Sequence, residues 1–129
     1  MILCSGAFDG LHAGHVRYLQ AARRLDTAQT LRVAVSTDGY IRTAKGREPY
    51  WPQVDRAATV CALACVDEVV LQEDDSIAPT IRALRPAIFV KGPDWRGVLP
   101  VEVRQACADV GTSIEIVSTA GRHTSEARR

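Results

Sequence analysis

Apolar and polar positions along the chain follow two alternating patterns, which predict strands separated by helices. Short apolar runs, typical of strands buried on both faces, occur at 2–4, 31–36, 66–71, 87–90 and 113–117. Apolar residues recur every three or four positions, as in amphipathic helices, at 14–25, 53–65, 76–84 and 103–110. Parallel neighbouring strands need crossover connections, so this order predicts one α/β domain, 1–129, around a doubly wound sheet of five parallel strands.

Two of the predicted helices have apolar faces that we expect to pack against this sheet. In the first helix the face consists of Val16, Leu19, Ala22 and Leu25. In the helix at 53–65 it consists of Val54, Ala58, Cys61, Ala62 and Cys65. The stretch 37–52 contains two glycines and two prolines and is predicted to be a long connection with at most a short helix. Connections of this length inside a domain are often functional or mobile.

The segment 6–15, between the first strand and the first helix, carries the most informative chemistry. It holds three glycines and two histidines, His12 and His15, that are three residues apart. Side chains at that spacing in a first helical turn point in roughly the same direction. The free N–H groups and the positive dipole end of that turn favour an anion. The segment therefore predicts a phosphate site between two imidazoles.

Three further segments follow predicted strands, at 37–47, 91–97 and 118–125. Ligands of doubly wound sheets bind beyond the carboxyl ends of the strands, so we expect these segments and 5–15 to form one cleft. Lys45 and Arg47 lie in a polar loop, and Lys91 directly follows an apolar run; we expect all three to contact phosphate. Arg56 at a helix start is disfavoured by the helix dipole, which a bound anion would explain.

Several side chains in these segments have alternative interpretations. Asp9 could cap its turn by accepting backbone hydrogen bonds, orient a histidine or lie near a metal ion. Asp94 and Trp95 could line the ligand pocket or shape a turn. Tyr50 and Trp51 could line an acceptor site, but we favour a contact with the core or with a second copy of the chain.

Composition narrows the classes of function. The formal net charge of +1 argues against a broad surface for nucleic acid or an anionic membrane. No apolar run approaches the roughly 20 residues that span a bilayer, and the first residues do not resemble a secretion signal. The four cysteines lie in apolar, periodic segments and are expected to be buried thiols in a reducing cytoplasm.

The run Phe8-Asp9-Gly10-Leu11-His12-Ala13-Gly14-His15-Val16 resembles the HxGH signature of the cytidylyltransferase-like nucleotidyltransferases. The segments 33–38, 45–46, 55–56 and 65–70 occur in the same order in members that act on small molecules. The segment 85–95 is most similar to the bacterial heptose-phosphate adenylyltransferases, and glycerol-3-phosphate cytidylyltransferases are also similar. The resemblance extends over nearly the whole chain.

This resemblance implies a Rossmann-like enzyme that joins a nucleoside triphosphate to a small phosphorylated acceptor and releases pyrophosphate. The expected reaction is transfer of AMP from ATP to a sugar phosphate. The alternatives are transfer from CTP to a phosphorylated alcohol or phosphonate, and a nucleotide-binding module without turnover. Mg²⁺ is expected to be bound mainly through the triphosphate, without a dedicated set of protein ligands. Small members are commonly homodimers, which we also expect here.

The resemblance also assigns roles to residues. The catalytic group is His12, His15 and Lys45. The nucleotide-binding group is Ala7, Phe8, Asp9, Gly14, His15, Lys91, Asp94, Thr119, Gly121, Thr124 and Ser125. The acceptor-binding group is Asp38, Lys45, Arg47 and Arg56. The family's C-terminal motif departs from its usual form here, because Ser118 replaces a common arginine and His123 a common serine; Arg122 could supply the missing charge.

Overall fold

A sheet of five parallel strands forms the centre of the computed structural model, which describes residues 1–119. The strands are β1 (Ile2–Gly6), β2 (Leu31–Ser36), β3 (Glu68–Gln72), β4 (Ile88–Lys91) and β5 (Ser113–Ile116). Their order across the sheet is β3-β2-β1-β4-β5. Cys4 of β1 is in register with Val33 of β2 and Val90 of β4. The chain thus adds strands first on one side of β1 and then on the other, which confirms the predicted doubly wound fold.

Five α-helices connect or flank the strands in the part of the chain that the structure describes. They are α1 (Ala13–Leu25), α2 (Asp38–Lys45), α3 (Gln53–Cys61), α4 (Ala78–Leu84) and α5 (Val101–Val110), and a short 3₁₀ helix covers Pro93–Trp95. Alternate β1 residues face opposite sides of the sheet, so Ile2 packs in a core cluster with α1 and α3, while Leu3 packs with α4 and α5. Both faces of the sheet are therefore covered. Within residues 1–119, no helix is both long and apolar enough to cross a membrane.

The predicted inner face of α3 is wrong. Val54 is 71% exposed, and Ala58 and Cys61 are also exposed. The buried side chains of this helix are Arg56 and Val60. The helix is rotated so that the Arg56 guanidinium reaches backbone carbonyls at the ends of the neighbouring elements, which the apolar periodicity does not encode. The expectation that every cysteine is buried is consequently wrong for Cys61.

The helices α1 and α2 agree more closely with the elements predicted from the sequence. In α1, Leu19 and Ala22 are buried as predicted, but Tyr18 takes the place of Leu25, which is exposed. The connection 37–52 contains one short helix, α2. Its start is capped by Thr37 Oγ1, which accepts from the Tyr40 amide at 3.2 Å, and its last residue, Lys45, is followed by Gly46 with φ +65°. Glycine is suited to that left-handed position because it lacks Cβ.

Candidate active site

A cleft of about 380 Å³ lies at the carboxyl ends of β1 and β4, next to the point where the strand order reverses. It is lined by Ser5, Gly6, Ala7, Phe8, His12, Gly14, His15, Tyr18, Lys45, Lys91, Gly92, Pro93, Asp94, Trp95 and Thr119. The segments 5–15 and 91–97, together with Lys45 and Thr119, therefore meet in one place, as the fold class predicts.

The side chains of His12 and His15 close the first turn of α1 by accepting one hydrogen bond each from a backbone amide. His12 precedes the helix, and its Nδ1 accepts from the Gly14 amide at 3.0 Å. The backbone N–H of His12 donates to His15 Nδ1 at 3.2 Å. The two rings are stacked, with centroids 3.8 Å apart. This is a capping box in which two imidazoles replace the usual hydroxyl and carboxylate.

These bonds determine where each imidazole carries its proton. In both rings Nδ1 accepts a hydrogen bond, so the neutral ring has its hydrogen on Nε2, which is then available as a donor. Partial burial, the neighbouring His12 and the charge of Lys45 all lower the pKa of His15. His15 is therefore neutral at physiological pH, with its Nε2–H free for a phosphate oxygen.

Gly14 is required by the His12 ring. A Cβ at this position would lie 2.8 Å from His12 Cε1 and 3.0 Å from Nδ1. We therefore expect Gly14→Ala to displace the ring and to lower turnover by roughly 10- to 100-fold. Stability should change little, because the preference of about 1 kcal/mol for alanine over glycine in a helix offsets the loss of the capping bond from the Gly14 amide to His12.

Thermal unfolding together with pyrophosphate-release kinetics would check this expectation. The matched control is Gly39→Ala in α2, whose Cβ would meet only Thr37 Oγ1 at 4.0 Å and should leave turnover unchanged. Equal turnover in the two variants would contradict the role given to Gly14.

Lys91 is a buried amine at the end of β4, with 9% of its surface exposed. Its Nζ donates to Ser5 O at 3.0 Å and to Ser5 Oγ at 3.3 Å, and lies 4.6 Å from the centre of the Trp95 ring. Burial lowers the pKa of Lys91 from 10.5 to about 8, and the nearby charge of Lys45 adds to this effect. A buried cation without an acidic partner among these contacts fits an anionic ligand.

This pKa has a consequence for stability. The unfolded chain binds a proton at Lys91 up to pH 10.5, while the folded chain releases it near pH 8. The free energy of unfolding should therefore rise between these pH values, and below them the buried charge costs up to about 3 kcal/mol. We expect Lys91→Met to unfold at equal or higher denaturant concentration at pH 7, even though Ser5 loses its partner.

Urea unfolding at pH 7 and pH 10 would measure this difference. The advantage of Lys91→Met over the unaltered protein should shrink as pH rises. A variant that is much less stable than the unaltered protein at pH 7 would show that Lys91 stabilises the fold instead of serving a ligand.

Asp9 joins the loop after β1 to the loop between α2 and α3. Its nearly buried carboxylate accepts from Arg47 Nη1 at 2.8 Å and from the amides of Tyr50 and Trp51, both at 2.9 Å. Burial opposes ionisation, but the bonds from Tyr50, Arg47 and Trp51 outweigh it and lower the pKa of Asp9. The structure thus gives Asp9 a function that the sequence interpretations did not include, holding the two loops together.

Arg56 lies beneath this junction, with 1% of its surface exposed. Its Nη1 donates to Ala7 O and Ser36 O at 2.8 and 2.6 Å. Its Nε donates to Trp51 O at 2.8 Å, and its Nη2 to Asp38 Oδ1 at 2.7 Å. The guanidinium that was predicted to contact the acceptor thus donates hydrogen bonds to four oxygen atoms of the protein itself.

A second cavity, of about 170 Å³, adjoins the cleft on the side of α4 and α5. Ser5, Gly6, Ala7, Lys45, Lys91 and Trp95 line both spaces. The remaining polar lining is Ser36, Tyr40, Gln72, Asp75, Ser76 and Glu102. Lys45 and Lys91 thus stand at the boundary between two adjoining compartments.

The remaining predicted site residues that the structure describes, Asp9, Asp38, Arg47 and Arg56, line neither compartment. Asp38 and Arg47 are engaged with Arg56 and Asp9, as described above. Gly121, Thr124 and Ser125, together with Arg122 and His123, lie outside the described residues. Among residues 1–119, no group of three His, Cys, Asp or Glu side chains is arranged to hold a metal ion.

Sequence reasoning missed several lining residues. Gln72 stands at the carboxyl end of β3, where the strand-end rule could have found it; Ser5 lies at the start of the predicted cleft segment 5–15 but was given no role of its own. Tyr18 lies one turn after His15, and its hydroxyl donates to Val90 O and accepts from the Ser5 amide. Its spacing from the histidines was the available signal.

The chain is similar to known proteins in both sequence and fold. The sequence profile described as cytidylyltransferase-like matches residues 3–121. The bifunctional protein HldE of Magnetococcus marinus is 46% identical over 97 residues, which cover 74% of this chain and 20% of the relative. HldE of Citrifermentans bemidjiense is 40% identical over 128 residues, or 97% of this chain and 26% of the relative. The chain thus spans about a fifth to a quarter of these relatives.

Solved structures show the same fold. The lipopolysaccharide core biosynthesis protein of Thermoplasma volcanium has a TM-score of 0.76 and 26% identity, with 94% of this chain and 96% of that chain covered. Pantothenate synthetase of Thermus thermophilus has a TM-score of 0.59 at 16% identity, over 91% of this chain and 54% of that one. The second likeness concerns the fold alone.

Proposed function

We propose that this chain, which belongs to the cytidylyltransferase-like family and is a nucleotidyltransferase, transfers AMP from ATP to a small sugar phosphate and releases pyrophosphate. The observation that carries the proposal is the pair of adjoining compartments with Lys45 and Lys91 at their boundary. A reaction between two anions needs positive charge at the point where they meet. The likeness to a lipopolysaccharide core biosynthesis protein supports a sugar as the acceptor.

The cleft of about 380 Å³, which is the larger of the two compartments, suits the triphosphate. Its lining offers the Nε2–H groups of His12 and His15, the Lys91 amine and, near the end of α2, Lys45. These donors would stabilise the charge that builds on the α-phosphate during attack. An acceptor phosphate is already ionised at neutral pH, so the reaction needs no strong general base. Catalysis then consists mainly of positioning and charge stabilisation.

Mg²⁺ is part of the proposal as an ion carried by the triphosphate. Among the described residues that line the larger compartment, Asp94 is the only carboxylate. This donor set fits an ion that keeps several waters and takes its remaining ligands from phosphates. When bound, the ion would neutralise charge on the β- and γ-phosphates, and Asp94 is the side chain that could contact it.

The smaller compartment suits the acceptor. Its polar lining of hydroxyl, amide and carboxylate groups can hydrogen-bond the hydroxyls of a sugar, while the phosphate would lie toward the two lysines.

We place the reaction in the cytoplasm, where nucleoside triphosphates are available. Two exposed apolar side chains, Trp51 before α3 and Val54 within it, support a homodimer, which light scattering would test.

The experiment is a pyrophosphate-release screen of this chain with Mg²⁺. It crosses ATP and CTP with sugar 1-phosphates, glycerol phosphate and a phosphonate. Release with ATP and a sugar phosphate is expected. Preferential release with CTP and an alcohol phosphate or phosphonate would replace this proposal with the cytidylyl alternative. Tight nucleotide binding without release in any combination would overturn it in favour of a non-catalytic module.

A further inference from the structure

We propose that Phe8 is a positioning residue for the reaction: its ring, held over Gly6, fixes the His15 imidazole with Nε2–H free for the nucleotide phosphate. The inference rests on the proposed function for its effect on turnover. Its structural part, the orientation and tautomer of His15, can be measured without substrate.

The backbone at Phe8 is unusual and specific. Phe8 has φ +51°, in the left-handed region that residues other than glycine seldom occupy. Its side chain is nevertheless 3% exposed and packs in the core cluster with Ile2 and Tyr18. Such a conformation persists only where the surroundings hold it, and it is typical of sites where side-chain position matters.

Gly6 makes room for this ring. A Cβ at position 6 would lie 3.0 Å from Phe8 Cε2 and 3.2 Å from Cζ. Because these are ring atoms of a buried side chain, a methyl group here would have to push the ring away. The absence of a side chain at Gly6 is therefore matched to the place that the Phe8 ring occupies.

The ring in turn contacts His15. The centroids of Phe8 and His15 are 5.2 Å apart, and the rings meet edge to face at 60°. His15 also stacks on His12 and accepts from its backbone amide. Two rings and one hydrogen bond thus limit the rotation of His15, and the hydrogen bond selects the tautomer with Nε2–H.

Charged groups of both signs lie around His15: Asp94 is the carboxylate among the described residues that line the cleft, and the positive groups lower the pKa of His15. His12 from the start of α1 and Lys45 from the end of α2 both disfavour a charged imidazole, and Lys91 of β4 lines the same cleft. Burial, to which the Phe8 contact contributes, is the largest cause of the lowered pKa of His15. Removing part of the ring should therefore admit water and raise this pKa toward its ordinary value.

The test is Phe8→Leu, studied by NMR of the histidine side chains without substrate and by steady-state kinetics. We expect the pKa of His15 to rise, its fraction with Nε2–H to fall, and kcat to drop by roughly 10- to 100-fold. The KM for the acceptor should change little, because Phe8 is not among the residues that line the smaller compartment. An unchanged pKa and tautomer of His15 would overturn the inference, whatever happens to kcat.

Two further variants separate positioning from general stability. Gly6→Ala keeps Phe8 but brings a Cβ to 3.0 Å from Phe8 Cε2, which displaces the ring slightly, so it should shift the His15 signals even if Phe8→Leu does not fold. Ile2→Val removes a methyl group from the same core cluster at the far end of β1. It should lower the melting temperature and leave the pKa of His15 unchanged; a matching His15 shift in Ile2→Val would also overturn the inference. If the histidine signals respond as expected while no substrate pair releases pyrophosphate, the proposed function fails and the positioning inference stands.

Discussion

Replacing His15 by asparagine should reduce kcat by about 10²- to 10³-fold while the protein stays folded, whereas glutamine should retain more activity. The side chain of asparagine can place an oxygen where Nδ1 accepts from the His12 amide, but it has no atom near Nε2. Glutamine is longer and can place an amide N–H near the position of Nε2, at the expense of the capping bond. The two variants therefore separate the capping role of His15 from its role toward phosphate.

Single-turnover kinetics and thermal unfolding, both measured near pH 8 where histidine is neutral, would make this comparison. We expect His15→Asn to have the higher melting temperature of the two variants, and His15→Gln to have the higher kcat. An equal and nearly complete loss of turnover in both variants would indicate that the reaction needs a protonated imidazole at this position. The reason is that glutamine supplies a neutral hydrogen-bond donor but cannot give up a proton. Full activity in both would remove His15 from the mechanism.

The sequence predicted the parts of the site that depend on local patterns. A short apolar run followed by two histidines three residues apart predicted a helix start with both imidazoles near a phosphate, and the structure places both in the cleft. Lys91 was found because it directly follows a buried strand. Such features depend on chain order and on the rule that ligands bind beyond strand ends.

The parts that depend on distant contacts were not predictable in the same way. The apolar spacing of α3 favoured Val54 and Ala58 as its inner face, but the helix instead buries Arg56. The free energy of one guanidinium that satisfies several buried carbonyls outweighs that of a few small apolar side chains. Likewise, the partners of Asp9 lie about 40 residues away in the chain, and no periodicity encodes that separation.

The contacts of Arg56 lead to the largest expected effect on stability. Arg56→Met should lower the free energy of unfolding by about 3–5 kcal/mol, the range found when one partner of a buried pair is removed. Methionine fills much of the volume but leaves the carbonyls of Ala7, Ser36 and Trp51 without their donor. Urea unfolding would measure the loss. The matched control is Arg42→Met, whose exposed ion pair with Glu48 should matter far less.

The same variant tests whether Arg56 binds the acceptor, as its position at a helix start suggested. A residue that mainly contacts the acceptor phosphate would raise the KM for the acceptor when replaced, with a small change in stability. A residue that mainly holds β1, β2 and α2 together would give the reverse, a large loss of stability at any substrate concentration. The four hydrogen bonds favour the second outcome. Equal unfolding midpoints for Arg56→Met and Arg42→Met would refute it, because a cation that stabilises four contacts cannot be removed without cost.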